Sequence, residues 1–347
     1  MTIATQPMSK GALDLLDHAG ADDTPPPVPV IVLTGFLGAG KTTLLNRILE
    51  GDHGLRVAVL VNDFGDINID ADLVTGVQAG VVSLANGCVC CTIRDDLIET
   101  VMAAVDLPER PEYVVLEASG VADPAGIAST FNLPRLRDQI RVDGVICMLD
   151  AEQVFEVPAL MELKIRQVAY ADLVVVNKVD LVEPAQIDGI RAWLDERMRG
   201  YRLIEAVRAD VPLDVVLSAG RFDAAPTVMP ERRHEAVGRS ATQDLETWSY
   251  RTDEPLALKT LREVAARLPA NIYRAKGIVH AIEVPDRQIV LQVVGRRVDL
   301  SIGEPWRAGE RRSRIVAIGA AGAIDADELR TRFQGCLAAP GAADPSA

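Results

Sequence analysis

The sequence predicts an α/β domain built on a mostly parallel sheet, followed by a smaller α+β domain. Three observations carry that expectation. Five short runs, at residues 30–33, 57–61, 113–116, 145–149 and 173–176, are nearly continuous in Val, Ile and Leu. They do not alternate with polar residues, as expected of strands buried on both faces. Helical stretches lie between them, such as 42–50 with Leu44, Leu45, Ile48 and Leu49 on one side, and 184–198 with Ile187, Ile190, Trp193 and Leu194. Alternating strands and helices imply right-handed crossovers and a parallel sheet. After Phe222 the pattern changes. One amphipathic helix is marked by Leu256, Leu258, Leu261, Val264, Ala265 and Leu268, then come strand-like runs at 278–282, 288–294 and 314–318 and a helix near 325–333.

The organisation read from these elements is a flexible extension over residues 1–29, an α/β domain over 30–222, and a linker over 223–246. A C-terminal α+β domain over 247–337 and a flexible tail over 338–347 complete it. The extension ends in Thr24-Pro25-Pro26-Pro27-Val28-Pro29, which cannot be helical because proline lacks the N–H and fixes φ.

Composition excludes several classes. The 347 residues are 48% hydrophobic and 25% charged, which rules out a disordered chain. Fifty acidic residues against 36 basic ones give a net charge of −14, so the footprint that displaces counterions from nucleic acid is missing and no nucleic-acid partner is expected. No apolar run approaches the roughly 18 residues of a membrane span. Residues 1–29, with Asp14, Asp17, Asp22 and Asp23, do not read as a signal peptide, and the expected location is cytoplasmic. Five cysteines, an odd number, argue against a disulfide framework.

Gly35-Phe36-Leu37-Gly38-Ala39-Gly40-Lys41-Thr42, followed by Thr43, has the form of a phosphate-binding loop between a strand and a helix. Glycines let backbone N–H groups approach a phosphate, and the helix N-terminus adds its positive dipole end. Lys41 is expected to reach the β- and γ-phosphates, and the Thr42 hydroxyl to ligate Mg2+. Asn177-Lys178-Val179-Asp180 follows directly on the run at 173–176. A carboxylate at Asp180 accepts from the N1–H and exocyclic amine of guanine, an edge adenine does not present. The Lys178 stem can lie along the base, and Asn177 can tie this loop to the phosphate loop. Guanine, and so GTP, is the expected nucleotide. The strand at 113–116 ends in Glu117, with Gly120 three residues on. Glu117 is a candidate for holding a Mg2+-bound water or orienting the attacking water, and Gly120 for an N–H at the γ-phosphate.

Asn86-Gly87-Cys88-Val89-Cys90-Cys91 is the least ordinary stretch. Clustered thiolates repel unless a cation binds them, and a soft or borderline ion such as Zn2+ or Cu+ suits sulfur. Three thiolates leave a tetrahedral ion one ligand short, as suits loading and release. A structural zinc site and a redox thiol pair are the competing readings. Asp63, in Asn62-Asp63-Phe64-Gly65-Asp66, is a candidate for Mg2+, for the transition metal, or for exchange between them, and Asp66 is a weaker one. The single histidine of the linker, His234, reads as a surface residue.

Taken together, Thr34 to Thr43, Asn62-Asp63-Phe64-Gly65, Asn86 to Cys91, Glu117-Ala118-Ser119-Gly120 and Asn177-Lys178-Val179-Asp180 resemble the CobW family of GTPases over residues 30 to about 220. Residues 247–337, with Tyr273-Arg274-Ala275-Lys276-Gly277 and Phe333-Gln334-Gly335-Cys336-Leu337, resemble its C-terminal domain. Asp63 stands where members commonly carry Glu, and the histidine-rich stretch of many members is missing here. The resemblance implies a phosphate-loop GTPase that handles zinc, with cobalt or iron as other cargoes, for a client metalloprotein. It also implies that Cys88, Cys90 and Cys91 belong to the metal site. A homo-oligomer is compatible with it. Two alternatives stand beside it: a metal-sensing GTP-binding switch with negligible turnover, and a phosphate-loop NTPase with a structural zinc.

Overall fold

In the computed structural model the five apolar runs become strands of one sheet. The structure describes residues 27–61, 81–83, 93–122, 124–131, 133, 136, 139–198, 201–217, 245–295, 297–307 and 311–338. They divide into two compact units, one formed by residues 27–198 and 203–217 and the other by 201–202 and 245–338. Among the described residues, no helix is long and apolar enough to cross a membrane.

The first unit is a seven-stranded sheet in the order β3-β2-β4-β1-β5-β6-β7. Its strands are β1 (Val28–Gly35), β2 (Val57–Val61), β3 (Val81–Ser83), β4 (Tyr113–Glu117), β5 (Ile140–Asp150), β6 (Leu173–Asn177) and β7 (Leu203–Ala206). Every pairing is parallel. β1 is central, with Val32 opposite Leu116 on one side and Val145 on the other. Side chains alternate across the sheet. Val30, Val32, Leu60, Val114 and Leu116 pack with Leu97, Ile98 and Val101 of helix α2 (Ile93–Val105) and with Ile127 and Phe131 of α3 (Pro124–Phe131). Ile31, Leu33, Val59 and Val115 point to the other face and are equally buried. Helix α1 (Lys41–Glu50) buries Leu44, Leu45 and Ile48, as its apolar spacing predicts. Further helices are α4 (Met161–Ala169), α5 (Pro184–Arg197) and the short α6 (Leu213–Val216). Parallel strands covered by helices put the ligand-binding end at the carboxyl ends of the strands.

The second unit is a five-stranded antiparallel sheet in the order β11-β10-β9-β12-β8. Its strands are β8 (Leu245–Thr252), β9 (Ile272–Ala281), β10 (Val284–Val294), β11 (Arg297–Pro305) and β12 (Ser313–Ala320). Helices α7 (Leu258–Ala266) and α8 (Ala326–Gln334) supply Leu258, Leu261, Ala265, Leu329 and Phe333 to its core. Asp325 starts α8 by accepting from the N–H groups of Asp327 and Glu328 at 3.1 and 2.9 Å, satisfying donors that have no intrahelical partner. The Phe333 ring lies 5.6 Å from Trp248 and 5.7 Å from Tyr250, ring centre to ring centre.

Two expected boundaries shift. β1 begins at Val28, inside the expected extension, because Val28 is buried and pairs with Ile140. Pro29 is tolerated there, since the ladder to β4 starts only at Val30. At the other junction, Leu245 and Glu246 of the expected linker belong to β8, paired with Ala320 and Gly319. That strand turns Trp248 and Tyr250 into the core. The rest of the expected linker that precedes β8, the N-terminal extension before Pro27 and the end of the tail lie outside the described residues.

Phe333→Ala is expected to destabilise the C-terminal unit by about 3–5 kcal/mol, because the cavity adds to the lost transfer energy. Urea unfolding followed by Trp fluorescence measures it, and a loss below about 1 kcal/mol would contradict this packing.

Candidate functional site

β1 ends at Gly35, and the chain turns through residues 36–40 before α1 opens at Lys41. Gly40 occupies the N-cap at φ 103° and no side chain caps the helix. A Cβ there would also fall 2.4 Å from Nδ2 of Asn177, so only glycine fits. The turn is closed by the Ala39 N–H on the Phe36 carbonyl at 3.2 Å. With neither a capping side chain nor an acidic residue in its first turn, α1 leaves its leading N–H groups and positive dipole end for an anion.

Facing this turn is the end of β4. Leu33 of β1 lies opposite Glu117, and the Ala118 N–H donates to the Leu33 carbonyl at 2.9 Å, which brings the buried Glu117 beside the helix start. Thr42 Oγ1 donates to Glu117 Oε1 at 2.9 Å. Lys41, largely buried, donates from Nζ to the Phe36 carbonyl at 3.3 Å. Gly38, Gly40, Lys41, Thr42, Glu117 and Gly120 line one cavity of about 350 Å3, to which Thr43 also contributes. An ammonium and a helix N-terminus favour a polyanion in it. The hydroxyl and carboxylate oxygens of Thr42 and Glu117 are the hard donors that Mg2+ takes, so this donor set fits that ion.

The second predicted motif sits at the end of β6. Asn177 Nδ2 donates to the Ala39 carbonyl at 2.9 Å, and Asn177 Oδ1 accepts from the Ala209 N–H at 2.8 Å. Lys178 holds a left-handed conformation (φ 64°), and its Nζ meets Asp150 Oδ2 at 2.6 Å. Asp150 is buried at the end of β5, where its Oδ1 also accepts from the N–H groups of Glu152 and Gln153. Asp180 lies in a short turn of 3-10 helix, Val179–Leu181, with its carboxylate exposed to solvent.

The structure thus brings together Gly35, Gly38, Ala39, Gly40, Lys41, Thr42, Thr43, Glu117 and Gly120 at one end of β1 and β4. Asn177 joins that group to the loop carrying Lys178 and Asp180. Two participants were missed from sequence. Asp150 ends an apolar run just as Glu117 does, so the same signal could have found it. Ala209 takes part only through its backbone N–H, in a loop where Arg208 and Ala209 are both left-handed (φ 52° and 54°), and its side chain gave no sign.

The predicted metal residues Cys88, Cys90, Cys91 and Asp63 lie outside the described residues, as does Asp66. Among the described residues, no group of three His, Cys, Asp or Glu side chains could hold a metal ion. The two described cysteines are buried and free. Burial pushes the Cys147 thiol up to about 12, against the opposing pull of Lys41, and the Cys336 thiol up to about 11. Both stay protonated at neutral pH, and a thiol must be a thiolate to ligate or react.

Asn177→Ala removes both hydrogen bonds and strands a buried carbonyl and a buried N–H, so the first unit is expected to lose about 2–4 kcal/mol. Urea unfolding checks this, and a loss below about 1 kcal/mol would show that the link carries no weight. Alkylation of the folded protein at pH 8, mapped by peptide mass, is expected to spare Cys147 and Cys336. Modification of either at the rate of a free thiol would contradict the burial described.

Comparison with known proteins agrees with this geometry. Residues 29–204 match the family model described as CobW/HypB/UreG, nucleotide-binding domain. Residues 245–337 match that of the cobalamin synthesis protein cobW C-terminal domain. A protein named zinc chaperone CobW from Sinorhizobium sp is 31% identical over 344 residues, covering 88% of this chain and 95% of the relative. A zinc chaperone CobW of Pseudomonas aeruginosa is 32% identical over 350 residues, covering 88% of this chain and 91% of its own. The zinc-regulated GTPase metalloprotein activator 1 of Dictyostelium discoideum is 30% identical over 305 residues, covering 75% of this chain and 64% of that protein. The chain belongs to the CobW/HypB/UreG family, with the nucleotide-binding domain followed by the cobW C-terminal domain.

Proposed function

We propose that the protein is a GTP-hydrolysing metallochaperone. In this reading it binds zinc at Cys88, Cys90 and Cys91, delivers it to a client metalloprotein, and lets GTP binding and hydrolysis control its metal affinity. The observation that carries the reading is the cavity in which Lys41 and the uncapped start of α1 face the Thr42–Glu117 pair, 2.9 Å apart. The names of the relatives, zinc chaperones and a zinc-regulated GTPase metalloprotein activator, support zinc as the cargo.

The residues divide the work. Lys41 and the leading amides of α1 bind the phosphates, Thr42 would hold Mg2+, and Glu117 would hold a water on that ion or orient the attacking water. That ion supplies neutralisation of the charge developing on the β- and γ-oxygens. Glu117, fixed by burial and by the Thr42 hydroxyl, is the carboxylate available to orient the attacking water, and Gly120 offers its N–H toward the γ-phosphate. Asp180 accepts from the two guanine donors. The Lys178 ammonium is anchored on Asp150, which fixes the aliphatic stem that lies along the base. Asp63 serves Mg2+ or the cargo ion. With Cys147 and Cys336 buried and protonated, Cys88, Cys90 and Cys91 are left to supply the thiolates. A cytoplasmic location keeps them reduced. Cobalt or iron are the other cargoes, and the domain over residues 245–337 is the candidate surface for the client.

Steady-state GTP hydrolysis with and without zinc, and competition of GTP against ATP, test the reading. Turnover is expected, with ATP a poor competitor. Equal competition by ATP would remove guanine selection, and no turnover with or without zinc would leave a binding switch. Lys41→Ala is expected to abolish turnover. Asp180→Asn is expected to weaken GTP binding by about 2–4 kcal/mol, because one hydrogen bond is replaced by a donor facing a donor and the other loses its ionised acceptor.

A further inference from the structure

Helix α4 carries two buried polar side chains, Lys164 and Gln167, three residues apart and so on one face. Burying an amide and an ammonium costs free energy unless each is hydrogen-bonded. Both are: Gln167 on the turn that contributes Gly120 to the phosphate cavity, and Lys164 on the loop that follows β5. Gln167 Nε2 donates to the Gly120 carbonyl at 3.0 Å and to the Ala122 carbonyl at 3.2 Å. These carbonyls belong to the turn closed by the Ala122 N–H on Ser119 at 2.9 Å. The turn lies hard against the phosphate loop, since a Cβ on Gly120 would fall 2.8 Å from the Leu37 backbone nitrogen.

Lys164 Nζ donates to the carbonyls of Gln153, Val154 and Glu156 at 2.8, 3.0 and 2.7 Å, which matches its three donors. It also stands 4.7 Å from the centre of the Phe36 ring, and the Phe36 carbonyl is the acceptor of Lys41. Burial pulls the Lys164 ammonium below its ordinary range, against Asp150 and Glu156, which pull it back up. The loop so filled runs from Asp150, the anchor of Lys178, to Val157. Val157 is a β-branched residue at φ 56°, an uncommon conformation that the surrounding contacts must hold. Phe155 and Val157 are 41% and 48% exposed.

We propose that Gln167 is a positioning residue of the phosphate site, and that α4 couples the Gly120 turn to the phosphate loop and to the loop 151–157 through Gln167 and Lys164. The inference rests on the nucleotide reading of the cavity and is independent of the metal. A change at Gly120 on losing the γ-phosphate then reaches Phe155 and Val157 by way of one rigid helix.

Gln167→Met keeps length and volume while removing both donors. Its affinities for GDP and for a non-hydrolysable GTP analogue are compared with those of the unaltered protein. The GTP analogue is expected to weaken by about tenfold or more while GDP stays within about threefold, with KM for GTP rising alongside the analogue's Kd. Equal loss of both nucleotides in a folded variant, or no change, would overturn the positioning role. Failure of the unaltered protein to bind either nucleotide would instead overturn the nucleotide reading and this inference with it. Hydrogen exchange on the unaltered protein needs no variant: residues 151–169 are expected to exchange more slowly with the GTP analogue than with GDP. Identical exchange in the two states would overturn the coupling.

Discussion

The site depends on one buried amide. Asn177 stands at the end of β6 and holds two backbone groups at once, the Ala39 carbonyl of the phosphate loop and the Ala209 N–H after β7. Each group would cost about 1–3 kcal/mol if left buried without a partner. Because the amide reaches the phosphate loop directly, position 40 has no room for a Cβ, and its φ of 103° is open to glycine alone. The loop before α1 and the loop carrying Lys178 and Asp180 are therefore tied together. The spacing between them is fixed by strand order, since β1, β5, β6 and β7 are successive neighbours in the sheet.

Acids at strand ends do complementary work on either side of β1. Glu117 closes β4 and meets Thr42, while Asp150 closes β5 and meets Lys178. Both are buried, so their charges act through short, oriented contacts and not through screened fields. Lys164 adds a third fixed charge behind the phosphate loop, satisfied entirely by carbonyls. The result is a site whose acids and amines are held in place by short contacts with backbone groups and with each other.

Much of this was legible in the sequence, for definite physical reasons. The five V/I/L runs became β1, β2, β4, β5 and β6 because doubly covered strands need no polar face. The phosphate loop and the Asn177 motif were readable because their chemistry lies in side-chain identity and in glycine. What escaped was different in kind. β8 (Leu245–Thr252) and β11 (Arg297–Pro305) lie at sheet edges and carry many polar residues, so their apolar signal is diluted. Helix α4 has a polar sequence whose buried positions include Lys164 and Gln167, residues that pattern reading assigns to solvent. Ala209 contributes only an N–H. The roles of Lys164 and Gln167 depend on partners up to 47 residues away in the chain, and no local pattern records such pairs.

In the proposed function nucleotide state and metal binding are coupled, the cysteine run falling in the sequence interval between β2 and β4, and β4 ends in Glu117 at the phosphate cavity. Coupling of this kind is reciprocal, so it is read equally well from the metal side. The direct measurement is a titration of zinc against a chromophoric chelator, run without nucleotide, with GDP and Mg2+, and with a non-hydrolysable GTP analogue and Mg2+. A shift in zinc affinity of about tenfold or more between the nucleotide states, ~1.4 kcal/mol, is the expected result. The same zinc affinity in all three states would contradict the coupling and leave the cysteines as a structural site on a GTPase.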